Sequence, residues 1–163
     1  MTLVLSTFPA GPLDCTCAIV GDRVAKEAVL IDPGGEPERI AAVLAQHDLR
    51  VVAIVHTHGH LDHMLATAAV KAAHGGIVCL HGADAWLHQE FQDRTKSFLG
   101  LDVSPAPPLE RLLEHEDVID CGAYLSLSQN DRLRTGENSG RFSGVASSSV
   151  GGHGHVRRSR EVE

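Results

Sequence analysis

The stretch that most constrains the fold is VVAIVHTHGHLDHMLA, residues 51–66. Val51 to Val55 is apolar throughout, which predicts a strand covered on both faces. Ligand-type side chains follow at once: His56, His58, His60, Asp62 and His63. Open α/β sheets place their chemistry at the carboxyl ends of strands. His56 and His58 alternate, so extended backbone points them the same way. Asp62 and His63 come at the turn into the next helix and can face back, with Gly59 leaving the loop free to bend. Imidazole nitrogen and carboxylate oxygen are preferred zinc ligands, and iron or manganese takes mixed sites of this kind. The spacing predicts a metal site.

The flanking chain alternates between strand and helix patterns. Residues 17–20 and 28–31 read as short buried strands, and Asp32-Pro33-Gly34-Gly35 breaks the second. Pro37 opens a helix to about residue 47, with Ile40, Val43 and Leu44 on one face. An alanine-rich helix runs from about Leu65 to His74, a fourth strand from Ile77 to Leu80, and a helical segment from Asp84 to Phe91. Leu109 to Leu113 is read as a short helix, and Val118-Ile119 begins another strand. This order predicts an α/β layered fold. Cys15-Thr16-Cys17 reads as alternation on a buried strand, and Cys79 as core.

The pattern ends near Cys121. Residues 122–163 hold seven Gly and eight Ser, and their net charge is +2 against −9 for residues 1–121. The expected organisation is therefore 1–121 as the folded part and 122–163 as a Gly/Ser/Arg-rich tail, disordered or poorly packed. The overall charge of −7 argues against nucleic acid as a partner. No apolar run approaches a membrane span, and the first residues lack a secretory pattern. A cytoplasmic protein with reduced thiols is expected.

THGHLDH, residues 57–63, resembles the signature of the metallo-β-lactamase superfamily. VLIDPGG at 29–35, LDCTCAIV at 13–20 and LERLLEHEDVIDCG at 109–122 resemble the glyoxalase II-like (hydroxyacylglutathione hydrolase-like) branch, so the match covers about residues 1–122. The resemblance implies an αβ/βα sandwich with two zinc ions between the layers. It makes His58 and His60 the ligands of one metal and Asp62 and His63 those of the other. Asp32 would lie beneath the site and orient a ligand histidine. His56 would be a supporting residue at most. A water between the metals would be lowered in pKa and attack a thioester such as an acyl-glutathione as hydroxide, and Asp62 would help steer it.

The family pattern also calls for a third histidine, a metal-bridging aspartate and a last histidine, all after residue 122. His153 and His155 in GGHGHVRR and Asp131 in NDRL are the only tail residues of those types, and none stands in the family's turn. Only the first half of the sandwich is expected to form. One face of the 1–121 layer should then expose apolar side chains. Three functions follow: a zinc-dependent thioester hydrolase impaired by missing ligands, a non-catalytic truncated metal-binding protein, or a mononuclear-iron persulfide dioxygenase using two histidines and one aspartate.

Overall fold

The computed structural model describes residues 3–114, 117–122, 125–130, 141–146 and 160–161. Six strands form the first sheet in chain order: β1 (Leu3–Ala10), β2 (Cys15–Asp22), β3 (Glu27–Ile31), β4 (Arg50–Val55), β5 (Ile77–His81) and β6 (Arg111–Leu113). The first three pair antiparallel, and β3 to β6 run parallel. A parallel pair needs a crossover, and here helices supply it. Helix α1 (Pro37–Gln46) joins β3 to β4, and α2 (Thr67–His74) joins β4 to β5. Pro37 fixes the first helical φ of α1, and Ile40 and Leu44 bury the face that the sequence pattern selects.

Two apolar layers sandwich this sheet. On one face Phe8, Cys17, Ile19, Leu30 and Ile54 pack with Ile40 and Leu44 of α1 and Val70 of α2. On the other, Val20, Val29, Ile31, Val55 and Cys79 pack with Leu113, Ile119 and Cys121. Ile119 and Cys121 belong to β7 (Val118–Cys121), the first strand of a second sheet. The expectation that one face of the 1–121 layer lies open is not met, because Val29, Val55 and Cys79 are fully buried. The second sheet continues antiparallel through β8 (Leu125–Asn130), β9 (Arg141–Ala146) and β10 (Arg160–Glu161).

Two element assignments change. Residues 111–113 form the strand β6, not a helix. Pro105, Pro107 and Pro108 disfavour helix in the approach, and the segment pairs with Cys79 to His81 instead of closing a single marginal turn. The helical segment expected over 84–91 is a 3-10 turn (Gly82–Asp84) followed by α3 (Ala85–Gln89) and α4 (Phe91–Leu99). Among the described residues, no helix is long and apolar enough to cross a membrane.

Candidate metal centre

The histidine loop hangs between the carboxyl ends of β3 and β4. Asp32 follows β3 directly and takes a left-handed φ of 49°. Aspartate tolerates that region better than most residues, and its side chain is held on both oxygens. Thr57 donates its backbone N–H to Oδ1 at 2.8 Å and its hydroxyl to Oδ2 at 2.6 Å. A 3-10 turn (Leu61–His63) then brings His63 back to Asp32. Two close approaches fix the loop. Gly59 donates its N–H to Asp84 Oδ2 at 3.0 Å, and a Cβ there would lie 2.8 Å from Leu87 Cβ. A Cβ on Gly34 would lie 2.3 Å from the carbonyl oxygen of Asp62.

His58, His60, Asp62 and His63 come together as two pairs. His58 Nε2 lies 3.0 Å from His60 Nδ1, and His63 Nε2 lies 3.5 Å from Asp62 Oδ2. The His58 and His63 rings join the pairs, with centroids 4.0 Å apart. Donors around an ion at about 2.0 Å stand roughly 3.3 Å from each other, so both pairs suit a bound metal. His56 lies behind them. It is fully buried, its Nε2 is 3.3 Å from Thr67 Oγ1, and its Nδ1 is 3.9 Å from Asp32 Oδ1 without a hydrogen bond.

The hydrogen bonds also select the histidine tautomers. The Thr57 hydroxyl has one proton and gives it to Asp32, so toward His58 Nδ1, 3.0 Å away, it must accept. His63 Nδ1 lies 3.0 Å from Asp32 Oδ2, a contact that a ring N–H satisfies. Both rings therefore carry their proton on Nδ1 and present a free Nε2 to the pairs. Burial, and after it the charges of His63 and His60, lowers the pKa of His58 to about 4, which keeps it neutral and able to ligate. Burial pulls His63 the same way, but the Asp32 hydrogen bond and the Asp32 and Asp62 charges raise it on balance.

Cys15 is the residue that the sequence reading missed. Assigned to core alternation with Cys17, it lies with Sγ 3.2 Å from His63 Nδ1. Burial first, then the charges of Asp32 and Asp62, pushes its thiol well above the ordinary range. Alternation on β2 points Cys15 and Cys17 to the same face, and nothing local shows that Cys15, at the strand's first position, meets the loop. Cys17 does sit in the core. Asp131, His153 and His155 lie outside the described residues.

The sequence profile of the metallo-beta-lactamase superfamily matches residues 10–157. The chain belongs to that superfamily. It is 38% identical over 125 residues to a hydroxyacylglutathione hydrolase of Anaeromyxobacter dehalogenans, covering 71% of this chain and 49% of that protein. Among solved structures it resembles the BLEG-1 B3 metallo-beta-lactamase, with a TM-score of 0.70 and 28% identity over 88% of this chain and 67% of that one. It also resembles TTHA1623 in a di-iron-bound form, with a TM-score of 0.67 and 27% identity over 88% of this chain and 66% of that one. This superfamily member spans about half the length of the curated relatives it matches. The superfamily's divalent-metal chemistry agrees with the paired donors at the end of β4.

Proposed function

We propose that this chain carries the metal-binding part of a zinc-dependent thioester hydrolase of glyoxalase II type. His58 and His60 hold one ion and Asp62 and His63 the other, with iron or manganese as alternative metals. The observation that carries the reading is the pairing of those four side chains, with Asp32 and Thr57 fixing the free nitrogens. Zinc in such a site supplies Lewis acidity and lowers the pKa of water. The protein's own part is to keep His58 neutral, to hold the Nδ1 proton of His63 on Asp32 so that Nε2 faces the metal, and to hold the Asp62 carboxylate beside His63, where it can orient a water. A small thioester such as an acyl-glutathione is the proposed substrate, in a cytoplasmic setting.

Four protein ligands shared by two ions leave each with two, whereas catalytic zinc normally has three and an open position. Residues 1–121 are proposed as the metal-binding part and 122–163 as a tail that adds no ligand. Slow turnover is therefore expected from the chain alone. The test is hydrolysis of an acyl-glutathione by the zinc-loaded chain, by Asp62→Ala and by the His153→Ala/His155→Ala double variant. Slow hydrolysis lost only in Asp62→Ala supports the reading. Equal background rates in all three leave a non-catalytic metal-binding protein, and robust turnover lost in the tail variant assigns ligands to the tail. One iron per chain after expression with both metals would favour the persulfide dioxygenase reading.

A further inference from the structure

The paired ligands use one side of His63. Its other nitrogen faces inward, to a second group of donors. Cys15 Sγ, an Asp32 carboxylate oxygen and a His63 ring nitrogen all lie within 4.8 Å of one another. The two separations that involve His63 are tighter: Nδ1 to Asp32 Oδ2 is 3.0 Å, and Nδ1 to Cys15 Sγ is 3.2 Å. Cys15 and Asp32 are 7% and 3% exposed.

We propose that Cys15, Asp32 and His63 form a second, sulfur-containing metal site, deeper than the His58/His60/Asp62/His63 pairs and selective for a thiophilic divalent cation. Tetrahedral zinc at about 2.3 Å from sulfur and about 2.0 Å from nitrogen and oxygen sets its donors roughly 3.3–3.7 Å apart. The two His63 contacts need to open by only a few tenths of an ångström to reach that range. The donors are built in from three separate elements: the first residue of β2, the turn after β3, and the 3-10 turn after β4. Gly34 wedges them together, since a Cβ there would lie 3.1 Å from Cys15 Cβ and 2.3 Å from Asp62 O. Three protein ligands with one position left open are the usual complement of a reactive zinc site.

The chemistry balances as a proton exchange. The Cys15 thiol loses its proton to solvent when the metal–sulfur bond forms. The ring proton of His63 moves from Nδ1 to Nε2 through solvent, which frees the Nδ1 lone pair. Asp32 Oδ2 exchanges its hydrogen bond from Nδ1 for the cation and keeps the one from Thr57. Because the Nε2 lone pair is consumed in the exchange, the inner site and the Asp62/His63 pair compete for one imidazole. A soft cation with sulfur affinity takes the inner position, and a harder one remains outside.

Cadmium is the probe, because a cadmium–thiolate bond absorbs in the ultraviolet where neither the free ion nor its imidazole and carboxylate complexes do. Titrating the metal-free full chain with cadmium should give a charge-transfer band that saturates near one ion per chain. The band should vanish in Cys15→Ser and persist in His58→Ala/His60→Ala, with circular dichroism confirming the fold of each. Cadmium-edge X-ray absorption on the unsubstituted chain should show one sulfur neighbour, a readout that needs no variant. An all-nitrogen-and-oxygen shell overturns the proposal and leaves the Cys15–His63 contact as a hydrogen bond. A band that survives Cys15→Ser also overturns it, by assigning the sulfur to another cysteine. Loss of the band in His58→Ala/His60→Ala overturns it as well, because the sulfur would then belong to the outer centre. None of these readouts depends on thioester hydrolysis, so failure of the proposed activity leaves this result standing or falling by itself.

Discussion

His63 Nδ1 lies 3.0 Å from Asp32 Oδ2, and that contact decides which nitrogen of His63 faces the ligand pairs. A carboxylate accepts only, so it holds the ring proton inward and leaves Nε2 free. Asp32→Asn can donate from its amide and no longer enforces the tautomer. Zinc affinity is expected to fall about 10–100-fold, read by competition with a chromophoric chelator. Unchanged affinity would remove Asp32 from the site's working parts.

Thr57 serves both histidines through one hydroxyl, donating to Asp32 and accepting from His58. Thr57→Val keeps the shape but deprives a buried carboxylate of a partner. The metal-free protein should lose about 1–3 kcal/mol in urea denaturation. Thr57→Ser keeps the hydroxyl and should recover most of that loss. Equal destabilisation by both variants would point to the Thr57 methyl packing instead.

Much of this arrangement is legible in the sequence, for physical reasons. The apolar run of β4 and the four ligands after it share one local pattern, and a strand end brings such residues together with little help from distant chain. Asp32 is legible only through the resemblance of VLIDPGG to the glyoxalase II-like branch; that its strand lies beside β4 is seen in the structure. Cys15 is not, because its meeting with His63 depends on β2 lying beside β3 and on a 3-10 turn that no periodicity announces. The strand at 111–113 is hidden for a similar reason, since three residues carry no period and their partner is β5. In β8 the alternation Leu125-Ser126-Leu127-Ser128 is present, but the Gly/Ser content of the segment obscures it.

Burial lowers the pKa of the fully buried His56 to about 4, from an ordinary value of 6.5. Between those values the unfolded chain binds a proton that the native state refuses. Stability is therefore present above the unfolded value and is lost as pH falls toward the folded one. At about 1.4 kcal/mol per pKa unit, the loss is on the order of 3 kcal/mol. The chelator-treated protein should show a falling Tm from about pH 6.5 to pH 4, and His56→Leu should flatten that slope. Identical profiles would assign the acid sensitivity to other groups.

Gly34 has no room for a side chain beneath the Asp62 carbonyl. Gly34→Ala must push the turn that carries Asp62 and His63, while the core around Ile54 is left intact. The expected result is weaker zinc binding with a nearly unchanged circular dichroism spectrum. Full zinc affinity in this variant would mean that the turn is free to shift without disturbing the ligands.

The four side chains after β4 are expected to hold metal as two pairs. Anomalous diffraction at the zinc edge, on crystals of the zinc-loaded chain, measures this directly. The expected map has its strongest peaks about 2 Å from the His58 and His60 nitrogens and about 2 Å from Asp62 Oδ and His63 Nε2. Peaks elsewhere, with these side chains unliganded at full zinc loading, would assign the metal to other donors and rule out the two pairs.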